Sequence, residues 1–96
     1  MSNPFADFFP AVPQRFLEMV LEYCDKGLDP SMIHGGVYLK RFSELGLLDL
    51  DRLCGRLNYS FFANHTVLEP DLFGQYSVSE IVDIIKEKSM FGSVLD

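Results

Sequence analysis

Apolar residues recur at helical spacing over residues 13–26, and this pattern predicts the first helix of the chain. Pro13 suits the first turn of a helix, because the N–H that proline lacks would have no intrahelical acceptor there. Gly27 is of the residue type most often found just beyond a helix end. The stripe predicted to face the core consists of Phe16, Met19, Val20 and Tyr23.

The same spacing returns from residue 49 to about residue 61 and predicts a second long helix. Gly55 lies inside this helix, where glycine costs about 1 kcal/mol relative to alanine. A glycine at such a position indicates the close approach of a neighbouring segment. The residues predicted to face inward are Leu50, Leu53, Cys54 and Leu57.

A capping box predicts where the last helix begins. The Ser77 hydroxyl and the Glu80 carboxylate can each bind a free backbone N–H at the helix start, and the apolar spacing continues to about residue 88. A short helix is predicted before it, over residues 69–75. The aromatic residues predicted to fill the core at the corner between the second and third helices are Phe61, Phe62, Phe73 and Tyr76.

A long connection, residues 27–43, separates the first and second helices. Pro30, Gly35 and Gly36 break its regularity, and its apolar residues leave room for a short helix near 37–43. The pattern therefore predicts an all-α fold. Its architecture is a small antiparallel four-helix bundle, with a long loop between helices 1 and 2 and a short helix 3.

The helical domain is predicted to occupy residues 13–90. It follows an N-terminal extension, residues 1–12, which is rich in proline and phenylalanine and whose prolines oppose a regular helix. A C-terminal tail, residues 91–96, is predicted to follow it.

Composition limits the kind of protein that this can be. The chain has 96 residues, of which 48% are hydrophobic and 23% charged, and these proportions fit one soluble globular domain. The net charge of −6 argues against binding to nucleic acid or to an anionic membrane, since both need clustered Lys and Arg. The start of the chain lacks the basic and apolar segments of a secretory signal, so a cytoplasmic location is expected.

The residues that could carry chemistry are scattered along the chain. Cys24 and Cys54 fall within apolar helical patterns and are predicted to be reduced thiols. His34 and His65 stand alone in predicted loops without a second ligand nearby, so no metal site is predicted. The sequence therefore predicts a protein that is not an enzyme.

The order of these elements resembles the acyl carrier proteins and the related peptidyl carrier domains. Residues 44–51, ELGLLDLD, resemble the turn that opens the second helix of a carrier. Residues 68–73, LEPDLF, resemble its short third helix, and residues 76–85, YSVSEIVDII, resemble its capped last helix. The resemblance implies an acyl-carrier-protein-like bundle.

The chain departs from that family at the functional atom. In a working carrier, a serine at the mouth of the second helix is esterified to 4′-phosphopantetheine, but here Asp49 occupies that position and Leu48 occupies that of the preceding Asp. A carboxylate cannot accept this phosphodiester by the same chemistry, so no cofactor is predicted. Asp49 is interpreted as a helix N-cap, which the helix dipole also favours. A second interpretation is a charge that mimics the prosthetic phosphate.

The resemblance and the departure together predict a non-enzymatic, carrier-like protein without a phosphopantetheine arm. Its expected partner is a biosynthetic enzyme such as a synthase, ligase or transferase. One alternative is a functional acyl or aminoacyl carrier in a fatty-acid, polyketide or nonribosomal-peptide-type pathway, with serine at 49 in the native gene or another hydroxyl used. Another is an unrelated small helical adaptor. The residues predicted to dock on the partner are Leu47, Asp49, Leu50, Asp51, Arg52 and Arg56.

Overall fold

Five α-helices and one 3-10 helix make up the regular structure of residues 12–89, the part of the chain that this computed structural model describes. No β-strand forms within these residues, so the predicted all-α class is confirmed for them. The helices are α1 (Gln14–Glu22), α2 (Leu39–Glu44), α3 (Leu50–Phe61), α4 (Leu72–Gln75) and α5 (Val78–Lys88), and the 3-10 helix is Pro30–Met32.

The short helix expected within the first connection is α2. The predicted tail, residues 91–96, lies outside the described residues, as does the predicted N-terminal extension up to residue 11. The third predicted helix is shorter than expected, since α4 covers only the last turn of residues 69–75.

The free backbone N–H groups at the start of α5 are hydrogen-bonded by side chains and by carbonyls of the connection before α2. The capping box is present, and Glu80 Oε1 accepts hydrogen bonds from the Ser77 N–H at 3.0 Å and from Ser77 Oγ at 3.1 Å. The Val78 and Ser79 N–H groups donate to the carbonyls of Val37 and Gly35, each at 2.9 Å. These bonds use N–H groups that have no acceptor inside the helix.

The first helix ends four residues before the predicted limit of residue 26, because residues 23–25 pair through their backbone with residues 47–49. Cys24 forms an isolated antiparallel bridge with Leu48. The Asp25 N–H donates to the Leu47 carbonyl at 2.7 Å, and the Asp49 N–H donates to the Tyr23 carbonyl at 2.9 Å. These bonds replace those that another helical turn would have made.

One cluster of buried apolar side chains joins the helices. Each of the five α-helices contributes to it. The predicted core positions Phe61, Phe62 and Phe73 are buried, whereas Tyr76 is 37% exposed and was wrongly assigned to the core. The largest fully buried side chains are Phe16, Phe61, Phe62, Phe73, Leu39, Leu53, Leu57, Leu68, Ile81, Ile85, Val20 and Val78.

A buried asparagine fixes the loop that follows α3. The Asn58 amide donates to the Leu68 carbonyl at 3.0 Å and accepts from the Leu68 N–H at 2.9 Å and the Val67 N–H at 3.3 Å. Its side chain thus pairs with the loop backbone as a strand would, although no strand is present there. Ala63 and Asn64, which have φ of 50° and 67°, reverse the chain between the two partners.

Replacing Asn58 with alanine is expected to lower the free energy of unfolding by about 3 kcal/mol, because it removes three hydrogen bonds and leaves buried backbone groups unpaired. Urea denaturation measures this change. Arg56→Ala, an exposed change on the same helix, serves as the control and is expected to stay within about 0.5 kcal/mol of the wild type. Equal losses in the two variants would contradict the role given to Asn58.

An ion pair joins α2 to the segment before α4. Lys40 Nζ lies 2.6 Å from Asp71 Oδ1. The hydrogen bond and the charge of Asp71 raise the pKa of Lys40, and those of Lys40 lower the pKa of Asp71. A Cβ on Gly74 would come within 2.9 Å of Lys40 Cδ, so the glycine leaves room for the lysine stem.

Asp71→Asn is expected to be less stable than the wild type between the ordinary pKa values of the two groups, 3.8 and 10.5. The difference should close as the pH falls through the lowered pKa of Asp71, where the carboxylate is neutralised. It should also close as the pH rises through the raised pKa of Lys40. Urea denaturation across this pH range measures the difference in free energy of unfolding between the variant and the wild type. The control is Asp83→Asn on the exposed face of α5. A difference that does not change with pH would contradict the ion pair.

Candidate functional site

The turn between α2 and α3 is a Schellman motif. The Leu47 N–H donates to the Phe42 carbonyl at 2.9 Å, and the Gly46 N–H donates to the Ser43 carbonyl at 3.0 Å. Gly46 has φ of 75°, the left-handed conformation that this motif requires and that glycine adopts without steric cost. The motif leaves Leu45 at the tip of the turn, 67% exposed.

Asp49 is the N-cap of α3, as the sequence indicated. Its Oδ1 accepts the Arg52 N–H at 3.3 Å, and its Oδ2 lies 3.3 Å from Arg52 Nε. The carboxylate therefore satisfies a free N–H in the first turn and faces the positive end of the helix dipole.

Most of the predicted docking residues are accessible. Asp49, Asp51, Arg52 and Arg56 are exposed, and Leu47 is half-buried.

Leu50 differs from the other predicted docking residues. It is 3% exposed and belongs to the core, so it offers no surface to a partner. The first turn of α3 directs it inward with Leu53. The prediction missed Leu45, whose place before Gly46 in the Leu-Gly-Leu turn was the available signal.

The outward face of α3 carries a line of exposed residues at helical spacing. These four residues, here called the α3 stripe, are Arg52, Gly55, Arg56 and Tyr59. Tyr59 is 70% exposed. A Cβ built on Gly55 would meet no atom within 4 Å, so the expected close neighbour is absent from residues 12–89.

A surface depression of about 510 Å³ lies beside the C-terminal end of the α3 stripe. The Arg15 guanidinium contributes to its wall and lies 5.8 Å from the centre of the Phe61 ring, within the range of a cation–π interaction. The lining residues are Arg15, Tyr59, Ser60, Ala63 and Asn64.

The two cysteines and His34 show no arrangement for chemistry among the described residues. Burial, and to a smaller extent the charges of Asp51 and Glu69, raises the pKa of Cys54 to about 12, so its thiol stays protonated near neutral pH. Burial also raises the pKa of Cys24. His34 Nδ1 accepts the Gly36 N–H at 3.2 Å. Nowhere in residues 12–89 do three His, Cys, Asp or Glu side chains come together as metal ligands.

Comparison with protein-family models, curated proteins and solved structures gives no match for this chain. None of the helices within residues 12–89 combines the length and the apolar character needed to cross a bilayer.

Gly55→Ala is expected to raise the free energy of unfolding by about 0.5–1 kcal/mol, because the helical backbone loses less entropy and the methyl group enters open space. Gly46→Ala is the matched control, since it also has no atom within 4 Å but has φ of 75°. That substitution is expected to cost about 1 kcal/mol or more. Urea denaturation measures both, and changes of the same sign would contradict the assigned backbone roles.

Proposed function

We propose that this chain is a non-enzymatic, carrier-like protein that binds a partner enzyme without a phosphopantetheine arm. Its docking surface consists of the turn that exposes Leu45 and the charged start and outward face of α3. The observation that carries this proposal is Leu45, which is 67% exposed at the hydrogen-bonded Schellman turn. The docking surface is formed by Leu45, Leu47, Asp49, Asp51, Arg52 and Arg56.

The order of elements supports a carrier-like bundle. A first helix, a long connection, a capped helix, a short helix and a capping-box helix follow one another as α1, α3, α4 and α5, with α2 inside the connection. The predicted number of four helices treats α2, which lies between α1 and α3, as part of the long connection. The resemblance then makes the partner a biosynthetic enzyme such as a synthase, ligase or transferase.

The chemistry at the start of α3 supports a carrier that bears no arm. Asp49 holds the position at which a carrier has its serine, and its carboxylate caps the helix. The neighbouring hydroxyls belong to Ser43 in α2 and Ser60 near the end of α3, and neither begins a helix. An apolar side chain at the tip of a turn is also a usual contact in protein interfaces, whose centres favour large apolar groups.

Incubation with coenzyme A and a promiscuous phosphopantetheinyl transferase tests the absence of the arm. The wild type is expected to keep its mass, whereas Asp49→Ser, which preserves a good N-cap, is expected to gain one phosphopantetheine. A genuine acyl carrier protein in the same reaction is the positive control. A mass gain by the wild type would make this a functional carrier, and no gain by Asp49→Ser would leave an adaptor with only an architectural likeness.

Affinity purification from the native host tests the docking surface. Leu45→Asp is expected to lose a synthase, ligase or transferase that the wild type recovers, because it places a charge at the centre of the apolar contact. Met32→Asp, at another exposed large apolar side chain, is the matched control and should retain that enzyme. Retention by both variants would contradict the docking surface.

A further inference from the structure

Resting on the proposed function, we propose that the α3 stripe recognises an acidic amphipathic helix on the partner. The stripe combines two cations, an open backbone position and an exposed aromatic ring on one helix face. Each of these features constrains the chemistry of the occupant.

The four residues of the stripe follow one line along α3. Arg52, Gly55, Arg56 and Tyr59 are spaced i, i+3, i+4 and i+7, which places them on one face over about 10 Å of helix length. A partner helix that packs along this line therefore meets all four positions. Arginine and tyrosine are the residue types most often responsible for binding energy at interfaces.

The charges of the stripe select an acidic partner. Arg56 makes no ion pair with any residue of the described chain, and Arg52 is paired with Asp49 only through exposed atoms 3.3 Å apart. An exposed pair of this kind contributes little stability, so Arg52 can exchange its partner at small cost. The stripe itself carries two cations and no carboxylate, on a chain of net charge −6, and the carboxylates of Asp49 and Asp51 lie beside it.

Asp51 defines the edge of the stripe. It is exposed, precedes Gly55 by four residues and repels carboxylates on that side of the helix. The carboxylates of the partner are therefore expected on the side of Arg52 and Arg56. Such an arrangement fixes orientation and excludes basic partners more than it adds affinity.

The open space above Gly55 admits a helix backbone. No atom of residues 12–89 lies within 4 Å of the Cβ that another residue would carry there, so a small residue of the partner can approach closely. Tyr59 then contacts an apolar side chain one turn further along, at the rim of the depression of about 510 Å³ that Arg15, Ser60 and Asn64 also line. The partner helix thus needs one acidic edge and one apolar edge.

A stapled helical peptide that repeats alanine and leucine on one edge and glutamate on the other is the probe. The peptide is titrated into the ¹⁵N-labelled full chain, and the amide chemical shifts are recorded at each step. The amide shifts expected to change first are those of Arg52, Gly55, Arg56 and Tyr59. The same peptide with lysine in place of glutamate should bind at least about tenfold more weakly. Equal binding of both peptides, shifts spread over the surface, or no binding would overturn the inference.

Variants separate binding from folding. The Gly55→Leu variant has a higher helix propensity, and its Cβ meets no atom of residues 12–89 within 4 Å, so it is expected to fold while Kd for the acidic peptide rises at least about tenfold. Glu87→Leu on the exposed side of α5 is its matched control and should bind as the wild type does. The pair of changes Arg52→Glu and Arg56→Glu should abolish binding, with the pair Lys26→Glu and Lys88→Glu, which alters the net charge equally, as the control. Unchanged affinity in Gly55→Leu would contradict close approach at the stripe.

A second copy of this chain is the competing occupant, because Glu80, Asp83 and Glu87 present carboxylates along α5. Sedimentation of the wild type and of the double arginine variant distinguishes the two. A dimer lost in the double variant would overturn the assignment to a partner. If the peptides do not bind while Leu45→Asp still loses its enzyme, the inference fails and the proposed function stands.

Discussion

The backbone pairing of residues 23–25 with residues 47–49 joins the end of α1 to the start of α3. It ends α1 at Glu22 and sets the start of α3, since the Asp49 N–H bonds to the Tyr23 carbonyl while the Asp49 side chain caps the helix. The Schellman turn that precedes the pairing is closed by its own hydrogen bonds. Leu45 lies at this turn with 67% of its surface exposed, while Phe42 before it and Leu48 after it are buried in the core.

The C-terminal end of α3 is held by side-chain hydrogen bonds. Asn58 is buried and pairs through its amide with the backbone of residues 67–68, so the chain after the helix is fixed without a strand. With both ends anchored and Leu53, Leu57 and Phe61 in the core, α3 has one orientation. Its opposite face is consequently presented by a helix anchored at both ends, and groups that are ordered before binding lose less entropy when they bind.

Helical spacing and capping chemistry were sufficient to predict α1, α3 and α5, the Asp49 cap and the Ser77–Glu80 capping box. Backbone pairing has no side-chain signature, so the early end of α1 could not be read from residues that remain apolar to Cys24. Periodicity also did not show that Gly55 faces open solvent, because a glycine contributes nothing to either face. Leu50 was predicted both to face inward and to dock, and burial at 3% exposure decides between the two.

We propose that the outward side of the α2–α3 region is where this protein meets its partner. Site-specific photo-crosslinking in the native host tests it most directly, with a photoreactive amino acid placed at Leu45, at Tyr59 or, as a control, at the exposed Glu22 of α1. The same discrete crosslinked enzyme is expected from positions 45 and 59, and none from position 22. A crosslink from position 22 alone, or equal crosslinking from all three positions, would contradict it.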